Sequence, residues 1–282
     1  MVYLKKLGSV ATSLGKQNMT TIESYRRIFS LEGKTAIVTG GSRGIGKALS
    51  EGLAAHGADV TIVVQSSVER AEVVANGIRA VGRDAMVIKA DVSNEVDAQR
   101  MTDEVMERWG RIDILVNNAG IVLPAATEDC RFDDWRRTMA VNLDGVFLVS
   151  RAVGRQMIRK KSGSIINIGS MSGRIVNWPF HHAAYNVSKA GVHMLTKCLA
   201  TEWAEHNIRV NALAPGYILT ELTQEVLREH PDVVNDQWAK GAVQNRIGSV
   251  EELVGATVYL ASGASSFTTG EIITIDGGLT LR

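Results

Sequence analysis

The chain has 282 residues, of which 45% are hydrophobic and 22% are charged, with 31 basic and 30 acidic residues and a net charge of +1. This composition is too apolar and too weakly charged for a disordered chain, and the balanced charge lacks the electrostatic signature of a nucleic-acid-binding protein. No stretch approaches the roughly 20 apolar residues of a membrane-spanning helix, and two cysteines make no disulfide scaffold, so we expect a cytoplasmic protein.

The first 30 residues differ from the rest of the chain. Residues 1–22 contain three lysines and no acid, a composition typical of a transit peptide. The alternative is a flexible tail, with the natural start at Met19. The absence of arginine before Arg26 and the poor apolar periodicity favour the tail.

Strands and helices alternate without a linker from about residue 33 to 278. The predicted elements are strands at 34–39, 60–64, 85–89, 112–116, 164–168, 208–212 and 272–275, and helices at 47–57, 71–81, 96–109, 132–157 and 185–205. Short β-branched runs separated by helices of ten or more residues indicate βαβ units. We therefore predict a single Rossmann-like domain over 31–282, a doubly wound parallel sheet of about seven strands with helices on both faces.

A glycine-rich loop follows the first strand. Gly40 can take the positive φ of the turn, Gly44 lets the backbone approach a phosphate, and Gly46 lets the helix pack closely on the strand. The helix N-terminus then offers free N–H groups and a partial positive charge to a pyrophosphate. At this position in a doubly wound pattern, the loop predicts dinucleotide binding.

The loop has the spacing Gly-x-x-x-Gly-x-Gly and resembles that of the short-chain dehydrogenase/reductase family. The resemblance covers nearly everything after the N-terminal tail, and it includes Asp91-Val92, Asn117-Asn118-Ala119-Gly120, the Pro-Gly segment 215–220 and Asp276-Gly277-Gly278. It implies that the cofactor contacts are Gly40, Ser42, Arg43, Gly44, Ile45, Gly46, Gln65, Ser66, Asp91, Val92, Asn118, Ala119, Gly120, Tyr185, Lys189, Pro215, Gly216, Ile218 and Thr220.

Tyr185 and Lys189 lie four residues apart, on one face of a predicted helix. A phenol titrates near pH ~10 and is a poor acid or base at neutral pH, so we expect the lysine ammonium to lower its pKa. Ser170 ends the fifth strand, where side chains reach the ligand crevice of a doubly wound fold. Ser172 is a possible substitute, but the resemblance favours Ser170.

Asn142 matches the fourth catalytic residue of the family. The resemblance implies that it holds a water on a proton relay past Lys189 and the cofactor ribose. A bend of the helix by its side chain is the alternative, and the two are compatible. With Ser170 and Tyr185, the set predicts hydride transfer between a nicotinamide and a secondary alcohol.

The second strand ends in Gln65-Ser66-Ser67 and carries no acid that would reject a 2′-phosphate. Arg43 stands in the glycine loop, where family members that use NADP often carry a basic residue. We therefore favour NADP, with NAD as the alternative.

Residues 217–247 interrupt the strand–helix rhythm and resemble the family's substrate lid. We expect substrate contacts from Ser172, Asn177, His182 and Tyr217. No metal site is expected, because the adjacent His181 and His182 cannot easily face one metal.

These polar residues suit a substrate with several hydroxyl groups. Sequence segments such as Gly-Ser-Met-Ser-Gly at 169–173 are most similar to those of the sugar and sugar-alcohol dehydrogenases of the family. A 3-oxoacyl-(acyl-carrier-protein) reductase is the nearest alternative, and a non-catalytic dinucleotide-binding sensor is a more remote one. The resemblance further implies a homotetramer.

Overall fold

A computed structural model describes residues 22–281, and one parallel sheet lies at their centre. Its strands are β1 (Thr35–Thr39), β2 (Asp59–Val64), β3 (Ala85–Lys89), β4 (Ile114–Asn117), β5 (Gly163–Ile168), β6 (Ile208–Pro215) and β7 (Ile272–Ile275). The strand order is β3-β2-β1-β4-β5-β6-β7, and every pair is parallel. The chain therefore reverses its direction of winding between β1 and β4, where a doubly wound fold opens a ligand crevice.

Helices cover both faces of the sheet. They are α1 (Ile22–Arg27), α2 (Gly44–Ala55), α3 (Val68–Ala80), α4 (Glu95–Trp109), α5 (Phe132–Met139), α6 (Gly145–Lys160), α7 (Ala183–Trp203), α8 (Glu221–Glu229), α9 (Pro231–Val233) and α10 (Val254–Ala261). Each of these helices is too short or too polar to cross a membrane.

Successive residues of a strand pack alternately into two hydrophobic cores, one on each face of the sheet. Val38 of β1 packs with Leu53 of α2 in the core under α2, α3 and α10. Its neighbour Ile37 points the other way, into a core shared with Val105 of α4 and Val153 of α6. A strand buried on both faces needs apolar residues at successive positions, which is why these strands are continuous β-branched runs.

The predicted fold class is confirmed, with shifts at element ends. The helix after the glycine loop begins at Gly44 rather than at residue 47, because the loop's last glycines already take part in its first turn. The long helix predicted over 132–157 is interrupted by a π-helical turn at Ala140–Asp144. The segment 217–247 contains α8, which its mixed polar sequence did not reveal.

The predicted tail lies partly outside the described residues. Within its described part, Ile22–Arg27 is helical, and the core begins at the fully buried Leu31.

A buried carboxylate joins elements at the amino edge of the sheet. Asp113 is only 5% exposed, accepts a hydrogen bond from the Thr35 backbone N–H at 3.0 Å and forms ion pairs with Arg111 and Lys160. Burial alone raises the pKa of Asp113, but these hydrogen bonds and charges outweigh it and hold the pKa below its usual range. The carboxylate thus fixes the starts of β1 and β4 against the end of α6.

Replacing Asp113 by Asn should lower the free energy of unfolding at pH 7 by about 1–3 kcal/mol, because it leaves buried donors poorly paired. A carboxyl whose pKa is lowered on folding stabilises the native state above its unfolded pKa of about 4 and loses that effect as pH falls through the folded value. Urea unfolding at several pH values should therefore show a difference from wild type that shrinks below about pH 4.

Glu107→Gln is the matched control, since it neutralises an exposed acid of α4. It should leave stability nearly unchanged at every pH. An Asp113→Asn protein as stable as wild type at pH 7 would contradict the assigned role.

Candidate active site

The glycine loop brings the end of β1 into close contact with the end of β4. Gly40 has φ +66° and Gly44 has φ +50°, conformations that side-chain-bearing residues rarely adopt. A Cβ at Gly46 would lie 2.2 Å from the Gly40 carbonyl oxygen and 2.4 Å from Asn118 Nδ2. The start of α2 therefore packs so tightly on the strand ends that only glycine fits at position 46.

Asn118 and Thr39 hold this junction together. The Asn118 side-chain amide donates to the carbonyl oxygens of Thr39 at 2.9 Å and Gly40 at 3.1 Å. The Thr39 hydroxyl in turn accepts from the backbone N–H groups of Asn118 and Ala119 at 3.0 and 3.1 Å. These bonds align the loop after β1 with the loop after β4 along one crevice.

The start of α2 has the properties of an anion site. Arg43 caps the helix without a side-chain hydrogen bond, and the first turn contains no acid. The first N–H groups of a helix have no partner within it and carry the positive end of its dipole. Together with the space left by the glycines, this end of α2 fits the pyrophosphate of a dinucleotide.

The residues predicted for the adenosine half lie at the ends of β2 and β3. Gln65 Nε2 donates to Asp91 Oδ2 at 2.8 Å, and Ser93 donates twice to Asp91 Oδ1. Burial raises the pKa of Asp91, but these hydrogen bonds bring it below its usual range. Ser66 and Arg43 are exposed, and Val92 is buried against α6 at Gly145.

The other half of the crevice is formed by the residues that follow β6. Gly216 donates its N–H to Ile275 at 2.9 Å, and a Cβ on it would lie 2.7 Å from the Asp276 backbone. Ile218 is buried in the core, and the side chain of Thr220 caps α8. Thr220 also lies beside Gly44, because a Cβ there would be 3.5 Å from the threonine methyl, so this segment reaches across to the glycine loop.

Of the remaining predicted cofactor residues, Ser42 and Ile45 are half-buried in the loop, and Ile45 packs on the core. Pro215 ends β6.

Asn142 lies at the centre of the π-helical turn and is fully buried. Its Oδ1 accepts from the Ile121 N–H at 2.8 Å, while its Nδ2 donates to the Ile121 carbonyl at 2.9 Å and to Ser188 Oγ at 3.2 Å. The side chain thus ties the loop after β4 to α7. A Cβ at Gly120 would meet Asn142 Oδ1 at 3.4 Å and Lys189 Nζ at 3.7 Å, so these groups lie around one point.

Ser170 is buried at the end of β5, and its side chain accepts from the Ser172 N–H at 3.1 Å. Its hydroxyl also donates to Ser172 Oγ at 3.0 Å. Ser170 also acts on the buried Tyr185, because its side chain opposes the rise in the pKa of the phenol. Ser172 therefore supports Ser170 from behind, and Ser170 is the serine that meets the tyrosine.

Tyr185 and Lys189 lie on one face of α7, as predicted. Lys189 Nζ is 5.6 Å from the centre of the Tyr185 ring and donates to the Ile168 carbonyl at 2.7 Å. Burial lowers the pKa of Lys189 to about 8. Burial also raises the pKa of Tyr185, and the Ser170 side chain only partly opposes this rise.

The prediction that Lys189 lowers the pKa of Tyr185 is therefore wrong for this geometry. The ammonium is directed to the strand carbonyl rather than to the phenol oxygen, and burial of both groups dominates.

The four residues predicted for the substrate lie next to this cluster. His182 contacts Tyr185 edge to face, with ring centres 6.3 Å apart, and the Asn177 amide donates to Tyr217 Oη at 3.4 Å. Ser172 adjoins Ser170 as described. Within residues 22–281, no group of three or more His, Cys, Asp or Glu side chains is arranged to hold a metal ion.

Sequence reasoning did not include Phe180 in this region, and it expected Trp238 only as the aromatic residue of segment 217–247, without its partners. Trp238 stacks on Tyr217 with ring centres 4.3 Å apart, and Phe180 lies 5.7 Å from Trp238. Both stand in segments already expected to line the substrate, and an aromatic residue in each was the available signal.

Comparisons with known proteins agree with this geometry. The sequence model of the family described as enoyl-(acyl carrier protein) reductase matches residues 40–280. Galactitol 2-dehydrogenase of Rhizobium johnstonii is 44% identical over 91% of this chain and 99% of its own length. The NADP-dependent mannitol dehydrogenase of Hypocrea jecorina is 37% identical over 94% of this chain and 99% of its own length.

Among solved structures, a gluconate 5-dehydrogenase of Burkholderia cenocepacia in complex with NADP and tartrate superposes with a TM-score of 0.85. It is 41% identical, and the match covers 90% of this chain and 98% of that one.

A doubly wound sheet with a dinucleotide cradle beside a serine, a tyrosine and a lysine defines a nicotinamide-dependent oxidoreductase that acts on alcohol groups. The chain belongs to the short-chain dehydrogenase/reductase family, as the matched length and identity of its relatives show.

Replacing Gly46 by Ala should weaken NADP(H) binding at least tenfold. The added methyl would lie 2.2 Å from the Gly40 carbonyl oxygen, so the loop has to move out of the position in which it faces a pyrophosphate. Titration of the folded variant with NADPH, followed by the fluorescence of the reduced nicotinamide, measures the change.

Gly77→Ala is the control, because a Cβ there meets nothing within 4 Å. This change in α3 should leave binding unchanged and stabilise the helix by up to about 1 kcal/mol. Wild-type affinity in Gly46→Ala would show that the cradle is not formed as described.

Proposed function

We propose that the protein is an NADP-dependent polyol dehydrogenase, which converts a secondary hydroxyl of a sugar alcohol to a ketone and catalyses the reverse reduction. The observation that carries the proposal is the meeting of Ser170, Tyr185, Lys189 and Asn142 beside the glycine loop. A dinucleotide whose pyrophosphate is held at the start of α2 would have its nicotinamide half in the crevice beside these residues.

In the oxidation, Ser170 and Tyr185 hold the substrate oxygen between them. The O–H proton passes to the Tyr185 oxygen while the carbon–oxygen double bond forms and the C–H bond breaks with both of its electrons. A nicotinamide held in the crevice would supply the acceptor for that hydride. In the reduction, the phenol of Tyr185 returns the proton to the oxygen.

The raised pKa of Tyr185 affects the oxidation of the alcohol and the reduction of the ketone differently. The neutral phenol is the form that donates a proton in ketone reduction, and the ionised form is the one that accepts it in oxidation. Since burial raises the pKa, we expect reduction to run at neutral pH and oxidation to accelerate as pH rises.

Lys189 and Asn142 complete the assignment. Lys189, anchored on the Ile168 carbonyl, holds its ammonium 5.6 Å from the centre of the Tyr185 ring, where it would bind the ribose hydroxyls of the cofactor. The Asn142 side chain has its hydrogen-bonding groups engaged with Ile121 and Ser188. These contacts let it fix the loop after β4 and the lysine-bearing helix, while the water of a proton relay at Asn142 stays a prediction.

A polyol fits the surroundings of Tyr185 better than a steroid or a long acyl chain. Asn177, His182, Ser172 and Tyr217 offer polar groups next to aromatic faces. Relatives that act on galactitol and mannitol support the same class. We further propose that residues 217–247 are the lid over this pocket and that 31–282 is the catalytic domain.

The proposed preference of the enzyme for NADP over NAD rests on the charged groups at the adenosine end of the crevice. The carboxylate of Asp91 is engaged by Gln65 and Ser93, while Arg43 and Ser66 are exposed where a 2′-phosphate is expected. A relative that depends on NADP and a solved relative with bound NADP support this choice.

We also propose a homotetramer in the cytoplasm. Support for assembly comes from exposed apolar side chains along α6 and α7, namely Phe147, Val187 and Met194, which are suited to contact other copies.

The purified protein should oxidise six-carbon sugar alcohols with NADP at alkaline pH and reduce the matching ketoses with NADPH at neutral pH. Nicotinamide absorbance follows both reactions. A panel with mannitol, galactitol, sorbitol, their ketoses and an acetoacetyl thioester separates the proposed activity from the reduction of acyl thioesters. Preferred turnover of the thioester would overturn the proposal.

Tyr185→Phe serves as the control for the mechanism. It should bind NADPH normally and lose at least about 100-fold in kcat, the usual scale for removal of a general acid–base group. Cofactor binding with no turnover of any substrate by the wild type would instead favour the non-catalytic alternative.

Arg43→Ala should raise KM for NADP about tenfold or more and leave KM for NAD nearly unchanged. The change removes a charge-assisted hydrogen bond to the 2′-phosphate, worth about 1.5–3 kcal/mol. Steady-state kinetics with both cofactors measures the ratio.

Lys47→Ala is the charge-matched control, because Lys47 lies in the same helix and pairs with Glu51. It should leave the ratio unchanged. Equal effects of Arg43→Ala on both cofactors would contradict recognition of the 2′-phosphate.

A further inference from the structure

Four aromatic side chains form a continuous cluster beside the catalytic tyrosine. The aromatic cluster consists of Phe180, His182, Tyr217 and Trp238. Phe180 stacks on His182 with ring centres 5.6 Å apart and planes within 9°, and Trp238 stacks on Tyr217 with planes within 10°. Contact between Phe180 and Trp238 joins the two pairs.

The cluster begins at the reaction centre and leads away from it. His182 meets the Tyr185 ring edge to face, and the ring contacts continue through Phe180 and Trp238 to Tyr217, which lies at the far end. These rings provide an aromatic surface for the remaining carbons of a substrate that reacts at Tyr185. Aromatic faces pack well against the C–H groups of a carbohydrate chain, because those groups carry the positive edge that the ring face attracts.

Two polar atoms at the far end have no hydrogen-bonding partner among residues 22–281. These atoms are Asn177 Oδ1 and Trp238 Nε1, and both side chains are only 5% exposed. Buried polar groups are nearly always paired, since leaving them unpaired costs stability. One atom is an acceptor and the other is a donor.

Both atoms belong to side chains that contact Tyr217. The Asn177 amide donates to the Tyr217 oxygen at 3.4 Å, and Trp238 lies parallel to the Tyr217 ring. Burial raises the pKa of Tyr217, and the nearby Asn177 and Trp238 N–H groups oppose the rise. In a parallel stack, however, the indole N–H lies in its own ring plane and does not align with the phenol oxygen.

Packing alone does not account for these residue types. A phenylalanine at 238 would stack on Tyr217 without burying an unpaired N–H group, and a leucine at 177 would fill a similar volume without an unpaired oxygen. Because the unpaired donor and acceptor both adjoin one phenol, they are suited to a single ligand group that both donates and accepts.

We propose that Asn177 and Trp238 form a second hydroxyl-binding subsite, which recognises a hydroxyl of the substrate on a carbon other than the one oxidised. Asn177 Oδ1 accepts that hydroxyl's hydrogen, and Trp238 Nε1 donates to its oxygen. The subsite rests on the proposed polyol dehydrogenase function and narrows it to alcohols with at least one further hydroxyl. A single-hydroxyl alcohol leaves both atoms unpaired.

Trp238 is thereby a specificity-determining residue contributed by segment 217–247. Asn177 comes from the segment after β5, so the subsite is complete only when the two segments meet.

The test compares a six-carbon sugar alcohol with cyclohexanol, which has one secondary hydroxyl. Trp238→Phe keeps an aromatic ring to stack on Tyr217 and removes the N–H group together with the second ring of the indole. It should lower kcat/KM for the sugar alcohol at least tenfold, chiefly through KM, and change kcat/KM for cyclohexanol less than twofold. Asn177→Leu should shift the ratio between the two substrates in the same direction.

The double variant tests whether both atoms bind the same hydroxyl. Because either single change already breaks the shared contact, the combined loss should fall well short of the product of the single losses. Trp109→Phe is the control, since Trp109 donates its indole N–H to Asp84 at the amino edge of the sheet. It should leave the substrate ratio unchanged.

An unchanged ratio in both Trp238→Phe and Asn177→Leu, with the wild type active on sugar alcohols, overturns the subsite alone. A wild type that turns over cyclohexanol and no sugar alcohol overturns the proposed function as well. Thermal unfolding of each variant identifies a loss of activity that comes from misfolding. If one of the two single variants misfolds, the substrate ratio of the other decides the test.

Discussion

The close packing of α2 on the ends of β1 and β4 is the constraint on which the rest of the site depends. Asn118 bonds two carbonyl oxygens of the loop after β1, and this is possible only because Gly46 adds no atom between them. If these strand ends were farther apart, the helix N-terminus and the loop after β4 would no longer face the same ligand. The cofactor crevice is therefore a product of backbone proximity more than of particular side chains.

On the other side of the crevice, buried amide and carbonyl groups hold the catalytic elements in position. Asn142 links the loop after β4 to α7, and the Ile168 carbonyl anchors Lys189. Both contacts reach across sequence separations of about 20 residues or more. The reactive groups thus stand on rigid elements, while segment 217–247, which carries Trp238, is joined to the body by Thr220 near the glycine loop and by an ion pair between Glu221 and Arg70.

The strands, the glycine loop and the spacing of Tyr185 and Lys189 could be predicted from the sequence because each depends on local pattern. Continuous β-branched runs mark buried strands, and residues four apart share a helix face. The direction of the Lys189 ammonium could not be predicted, because it depends on a carbonyl 21 residues away. The stack of Trp238 on Tyr217 joins residues of an irregular segment, for which periodicity gives no information.

The π-helical turn at Ala140–Asp144 has one more consequence. A π-helical turn accommodates one residue more than the α-helical turn it replaces. Loss of a single residue there would restore a regular helix running from Phe132 to Lys160, with every backbone hydrogen bond intact. It would also rotate the residues before the deletion by about 100° about the helix axis and turn the asparagine position away from Ile121. The extra residue is thus an insertion that the helix tolerates at one place, and it sets the angular register of the site.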